Sequence, residues 1–348
     1  MSKYSVVDNS LRNFDELQHS TRQHAKTVNA FIKTIKYLFH ISNAPDFCRH
    51  CFFIRYGSNR ERTVVSKEAD FDLIMVLPHP FSLDTLYPTK FEDGVFMLNA
   101  KNNFIIDSEI DKYFTNENQR KLKALVLLMC LETLKKIWNG WTITTQKSLT
   151  NLKIRFDNER GKTLTIDVIP QIGANLEFDK IPGCVNQNSF HPVLQSYVNE
   201  HNFSAFYVLG FPPHVKDSRM KHLLLQTNFG LLELSGIECS ENVRNTVRMC
   251  KGISIKTRMR EIGLSTFHIK RMALLYLDEI IDLDPYNGVG YLLRRISNFL
   301  AHGYLPDYFF KHHNMFFKDK RKAYELSEKI KAVLSSIYSG RNFSLLQC

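Results

Sequence analysis

Apolar residues recur at helical spacing from about Glu16 to Ile41, where Val28, Phe31, Ile32, Ile35, Leu38 and Phe39 form one stripe. The spacing predicts a single long helix. Its opposite face carries Arg22, Lys26, Asn29, Lys33 and Lys36 in one narrow sector with no acid interleaved. Those five positions span about 21 Å at 1.5 Å per residue. A solvated face is the plain reading, but the lack of acids favours an anion-binding track. The pattern then shifts to strands at Cys51–Tyr56 and Asp70–Leu77, the second followed by Pro78 and Pro80. A helix is expected over Glu117–Trp138. Leu152–Phe156 and Leu164–Ile169 read as strands joined by a hairpin loop at 158–161, and Phe203–Phe211 and Leu223–Leu234 add further sheet. From about Cys239 the strand signals stop. Helical patterns follow at Asn242–Arg260, Thr266–Asp282, Gly288–His302 and Lys320–Tyr338. The expected class is α+β, with a mixed-sheet lobe over 1–237 and a C-terminal helical lobe over 238–348. No repeat or Gly/Ser linker separates the two, so they are expected to pack together.

The 348 residues allow one large domain or two ordinary ones. A net charge of +11 changes the picture of partners rather than of fold: nucleic acid, anionic membrane and nucleotides are all candidates. No apolar run approaches the roughly 18 residues of a membrane span, and Leu125–Cys130 reads as part of a core helix. The start, Met-Ser-Lys-Tyr-Ser, is polar and lacks a signal-peptide pattern. Seven scattered cysteines fit a reducing compartment, so a cytoplasmic location is expected. Cys48 and Cys51 form a lone CxxC with no second pair at suitable spacing, so no zinc is expected.

The candidate chemistry lies in Asp70-Phe71-Asp72. Residues at i and i+2 of a strand point to one face, so these two carboxylates converge. Asp167, in its own β-branched run, offers a third. A lone Asp-x-Asp often arises by chance, but burying Asp72 in an apolar strand without a partner would cost several kcal/mol. Three carboxylates on adjacent strands suit Mg²⁺ or Mn²⁺ and an in-line displacement at phosphorus. Gly57-Ser58, just upstream, offers backbone N–H groups and a hydroxyl to phosphate oxygens.

Several segments together resemble the Mab family of nucleotidyltransferases, that of cyclic GMP-AMP synthase and the animal cyclic GMP-AMP synthase-like receptors. They are Gly57-Ser58, Asp70 with Asp72, Asp167 in Thr-Ile-Asp-Val, Leu264–Lys270, and Gly303–Phe309 followed by Asn314–Phe317. The resemblance spans nearly the whole chain. It implies a bilobed nucleotidyltransferase fold with a long N-terminal spine helix, and a metal triad of Asp70, Asp72 and Asp167. The first acid of the triad is Glu in the synthase and Asp here. The resemblance also implies a phosphate turn at Gly57 and Ser58, phosphate contacts from Lys251 and Thr266, and base stacking on Phe267. Phe267 stands where the family has Tyr and keeps only the ring. Glu233-Leu-Ser235-Gly-Ile237 departs from the Trp-Arg-x-Ser-x-Ser pattern of the vertebrate enzyme, and only Ser235 is kept as a nucleotide contact. The zinc insertion of the vertebrate enzyme is missing between Cys239 and Lys251, as in invertebrate receptors, several of which respond to double-stranded RNA.

The activity implied by the resemblance is that of an enzyme of innate immune sensing. It would join ATP and GTP into a cyclic dinucleotide when double-stranded RNA, or DNA, binds Arg22, Lys26, Lys33 and Lys36, with a dimer on the nucleic acid as one arrangement. The other readings are a non-catalytic nucleic-acid-binding or interaction protein, and a linear oligonucleotide synthase. No membrane partner is expected.

Overall fold

The computed structural model describes residues 3–22, 24–41, 49–65, 69–77, 86–92, 95–100, 141–147, 152–158, 163–173, 181, 183–201, 206–208, 224–316 and 319–339. Helices α1 (Lys3–Arg22) and α2 (Ala25–Ile41) come first. Strand β1 (Phe52–Tyr56), the one-turn helix α3 (Gly57–Arg60) and β2 (Ala69–Leu77) follow. Strands β3 (Leu86–Glu92), β4 (Val95–Ala100), β5 (Trp141–Lys147), β6 (Leu152–Asn158) and β7 (Thr163–Gly173) extend the sheet. Helix α4 (Pro192–His201) precedes β8 (Phe206–Val208) and β9 (Leu224–Asn228). The rest is helical: α5 (Gly230–Glu238), α6 (Glu241–Lys256), α7 (Met259–Ile262), α8 (Thr266–Leu275), α9 (Leu277–Ile280), α10 (Pro285–Ala301) and α11 (Lys320–Tyr338). The class is α+β.

The nine strands form one mixed sheet in the order β1-β2-β7-β8-β9-β4-β3, with β6 also on β7 and β5 on β6. The β2–β7 pair is parallel and its neighbours are antiparallel. Strand alternation sorts the residues. Phe71, Leu73, Met75, Ile154, Leu164, Ile166 and Val168 line one face and are buried. Arg55, on that face, donates to the Ala25 carbonyl oxygen at 3.0 Å and to Asn29 Oδ1, so α2 lies over it. The buried stripe of α2 is Val28, Phe31, Ile35, Leu38 and Phe39, as the spacing predicts. Burying each of these contributes roughly 1.5–3 kcal/mol.

The single helix expected over 16–41 is two helices. The first begins much earlier, at Lys3, and ends at Arg22, and the second begins at Ala25. Ser20, Thr21 and His24 are weak helix formers, and the two halves serve different cores. Val7 of α1 belongs to one core with Val247, Ile296, Leu326 and Ile330 of the later helices, whereas α2 is bonded to the sheet through Arg55. The sheet expected over 223–234 also ends early. After Asn228 the side-chain oxygen of that residue caps Gly230 N at 2.7 Å, and α5 begins. A Cβ at Gly230 would overlap the Tyr56 ring, so a glycine is needed where α5 meets β1. A short apolar run cannot by periodicity separate a strand from a buried helix. Strands β3, β4 and β5 escaped the sequence pattern, and the helix expected over 117–138 lies outside the described residues.

The later helices start where their caps dictate. Ser240 accepts from Asn242 N, Ser265 and His268 form a reciprocal capping box, and Asp284 precedes Pro285 at the first helical position. Among the described residues no helix is long and apolar enough to cross a membrane.

Phe31 is fully buried between α2 and the sheet, whereas Lys33, two residues on, is exposed. Phe31→Ala is expected to cost about 3–5 kcal/mol in urea unfolding, and Lys33→Ala to stay within about 0.5 kcal/mol of the unsubstituted protein.

Candidate active site

The register of β2 on β7 sets Asp72 directly beside Asp167, and Asp70 beside Thr165. Neighbouring strands lie about 4.8 Å apart, so the two carboxylates of that pair are immediate neighbours. The row continues to Tyr56 on one side and to Lys153 on the other. Apolar residues take over higher on the same face, where Ile74 and Val76 pack with Ile54, Tyr56 and Leu231 of α5. The acids thus sit where an apolar floor gives way to a polar one. Burial and the charge of Asp167 together push Asp72 from the ordinary carboxylate range up to about 7, with the Lys270 ammonium opposing them.

The Gly57-Ser58 turn lies on Asp72. Gly57 has φ +74°, and a Cβ there would overlap Asp72 Oδ2. Only glycine meets both demands, the left-handed backbone and the close approach. Asn59 donates to the Asp70 carbonyl oxygen at 3.2 Å and receives at its own from Gln18 Nε2 at 3.1 Å, joining α1 to the turn. Lys251 of α6 reaches the same turn, donating to Ser58 Oγ and, at 3.2 Å, to the Thr63 carbonyl oxygen. Burial and nearby Lys270 lower its pKa to about 8, which still leaves it charged at neutral pH.

Behind the turn runs a chain of buried charges. Glu61, fully buried, pairs with Lys270 of α8. Lys270 lies 3.9 Å from Glu233 of α5 and 5.0 Å from the centre of the Tyr56 ring. Glu233 accepts from Tyr56 OH at 3.1 Å and from Arg271 Nε at 2.7 Å. Arg271 continues to Asp307 at 2.8 Å. Its guanidinium lies 4.4 Å from the Phe309 ring and 4.8 Å from the Phe267 ring. Despite burial, the Arg271 and Lys270 charges hold Glu233 below its ordinary pKa.

The structure therefore brings Gly57, Ser58, Asp70, Asp72, Asp167 and Lys251 together. Thr266 and Phe267 open α8, the helix that carries Lys270 and Arg271, and the Phe267 ring is 36% exposed above the Arg271 guanidinium. Ser235 is half-buried one turn after Leu231, on the side of α5 that meets the sheet. Sequence reasoning missed Glu61, Lys270, Arg271 and Asp307. Lys270, Arg271 and Asp307 stand beside apolar residues, a weaker form of the signal that singled out Asp72, whereas Glu61 lies in a polar run that gives no such signal. Glu233, met in the sequence only as a departure, proves to be a hub.

The basic residues expected on one helix are divided between two. Lys26, Lys33 and Lys36 are exposed on α2, but Arg22 ends α1 beyond the break, and Asn29 is bonded to Arg55. From Lys26 to Lys36 the stripe is about 15 Å long. No protein-family model matches this chain, and no curated protein matches it.

Asp70 Oδ1 is buried with no hydrogen-bond partner. An orphaned buried oxygen costs on the order of 1–3 kcal/mol, and a cation would relieve it. Among the described residues no group of three His, Cys, Asp or Glu side chains is arranged to hold a metal ion by itself. The expected triad is an open group on one sheet face, with Asp72 beside Asp167 and Asp70 two residues along β2. Mg²⁺ is commonly held by one or two carboxylates with phosphate oxygens and water completing the shell, and an open group fits that use. Asp70, Asp72 and Asp167 are the residues that would hold it.

These charges have two measurable effects. Between about pH 4 and 7 folded Asp72 binds more proton than it does unfolded, so in chelator stability should fall as pH rises through that window. Asp72→Asn should flatten the fall and raise the melting temperature at pH 7.5; an unchanged melting profile would contradict the burial. Lys270→Met strands Glu61 and should cost about 3–5 kcal/mol in denaturant unfolding, with the double variant Glu61→Gln/Lys270→Met recovering part of the loss.

Proposed function

We propose that this chain is a nucleotidyltransferase of the kind its motifs resemble, a Mab-type cyclic dinucleotide synthase. The observation that carries the reading is the pairing of Asp72 with Asp167 under a glycine turn whose serine is bonded to Lys251. Carboxylates, a phosphate-sized turn and a lysine within one site are what transfer of a nucleoside monophosphate between oxygens requires. On this reading the sheet with its two N-terminal helices and the later helices form the two lobes of a nucleotidyltransferase, and the substrates, ATP and GTP, enter between them.

The residues divide the work. Asp70, Asp72 and Asp167 would hold Mg²⁺ or Mn²⁺, which would supply charge to steady the attacking and leaving oxygens. Ser58 and the backbone of its turn bind the triphosphate tail, and Lys251 turns from Ser58 Oγ to the phosphate oxygens. Phe267, backed by the Arg271 guanidinium, offers a ring on which a base stacks. Thr266 and Ser235 add hydroxyls on either side. A ribose hydroxyl attacks the α-phosphorus, the P–O bond to pyrophosphate breaks, and the hydroxyl proton leaves to solvent. A second transfer in the same site closes the ring.

Double-stranded RNA is the proposed activator. Lys26, Lys33 and Lys36 are exposed on α2, and the Gln18–Asn59 bond ties the neighbouring α1 to the turn. A ligand shifts such an equilibrium only by preferring one arrangement of the turn, and this bond gives it a handle.

One incubation tests the chemistry: Mg²⁺ and four labelled triphosphates, with and without duplex RNA longer than about 16 base pairs. A phosphatase-resistant cyclic product is expected, and Asp70→Asn/Asp72→Asn should abolish it while the protein stays folded. Linear oligonucleotides would point to the linear synthase, and no product under any condition to a binding protein. In a separate titration, Lys26→Glu/Lys33→Glu should lower the log–log salt slope of duplex binding by about 0.9 for each lost phosphate contact; an unchanged slope would leave α2 as a solvated face.

A further inference from the structure

A second cationic feature lies at the edge of the sheet. A cavity of about 290 Å³ is walled by Arg55, Arg60, Arg62 and Asn59, with Ala25 at the start of α2 and with Tyr56 and Asp72 of the carboxylate row. Arg55 and the further wall residue Phe71 belong to the sheet face opposite the carboxylate row, and β1 is the edge strand. The cavity therefore spans both faces at that edge and meets the row at Tyr56 and Asp72.

Three guanidiniums in so small a space repel one another. Burial first, and then the neighbouring Arg60, pull the Arg55 pKa below its ordinary value. Arg60 is compensated by Glu238 at 2.7 Å, while Arg55 is bonded only to neutral oxygens, of Ala25 and Asn29. Arg62 is exposed and sits at φ +56°, in the left-handed region, where the turn after α3 fixes its direction. The first N–H groups of α2, a helix of 17 residues, add their partial positive charge at the Ala25 wall.

We infer that this cavity is a binding site for a compact polyphosphate anion, a free chain of two or three phosphates. Guanidinium forks match phosphate oxygens in pairs, and three of them on separate walls suit several phosphates better than one. The volume lies at the small end of ligand pockets and takes such a chain without a nucleoside. The site does not depend on the carboxylates doing chemistry, since it needs no divalent cation. A phosphate held there touches both the Gly57–Arg60 helix and the start of α2, and so would clamp the turn to the sheet edge.

The test is calorimetric titration of the full chain with inorganic tripolyphosphate in chelator at 150 mM salt. Without divalent cations no metal bridges phosphate to the carboxylates, Asp72 of the cavity wall included, so binding reports the arginines. One saturable site is expected. Arg62→Glu should weaken it at least tenfold and Arg62→Lys much less, while Asp70→Asn and Lys33→Glu leave it unchanged. Should Arg62→Glu not fold, as judged by circular dichroism, Arg60→Gln replaces it with the same expectation. A parallel arm titrates duplex RNA with and without saturating tripolyphosphate. Tripolyphosphate binding that is absent, unaffected by both arginine variants, or lost with Lys33→Glu overturns the proposal. So does a cavity that serves only RNA, seen as arginine-dependent RNA binding with no tripolyphosphate binding.

Discussion

The burial of Lys270 beside Glu61 and Glu233 holds the glycine turn over the carboxylates from behind. Desolvating an ammonium and two carboxylates is costly, and the arrangement persists because each charge meets an opposite one and a hydrogen-bond partner. Glu61 closes the short helix that begins with Gly57, so its pairing fixes that helix from behind. Arg271 and Asp307 extend the chain to the loop after α10, and Phe309 and Phe267 sheath it from water. The result is a stiff polar seam between the sheet and the later helices. Unlike an apolar contact, it tolerates only one register of the two.

The seam also sets the electrostatics on its open side. Asp72 lies between the negative charge of Asp167 and the positive charge of Lys270, and burial tips it towards its protonated form. Lys251 feels the opposite pull, depressed by burial and by Lys270. A carboxylic acid and an amine thus stand close to neutral pH within one site, each able to change charge when an ion or a phosphate arrives. Site residues perturbed in opposite directions mark a place built for ligands of either sign.

The carboxylates were legible in the sequence because strand alternation is a two-residue rule, and Asp70, Asp72 and Asp167 obey it in runs of clear β character. The buried stripe of α2 was legible for the same reason at helical period. The break between α1 and α2 was not, since the polar stretch around it suits a helix surface as well as a joint, and only the two different cores decide. Leu231–Leu234 read as strand because an apolar run has no intrinsic period, and Asn228 and Gly230 set its actual start. Glu61, Glu233 and Lys270 were hidden by distance: they lie in three separate segments, and no local pattern announces that they meet.

The break between the first two helices has a consequence for how the chain assembles. Asp15 of α1 binds the buried guanidinium of Arg248 across 233 residues, at 2.7 Å, and Val7 packs into the same helical core. During synthesis α1 therefore emerges long before its partners and must stay unsatisfied while the sheet is made. Helix α2 can settle on the strands that come after it, but α1 waits for α6, α10 and α11. Long-range closure of this kind is slow, and the last step of folding is then the docking of α1. The segment that docks last is also the one whose arrival, through Gln18 and Asn59, completes the turn over the carboxylates.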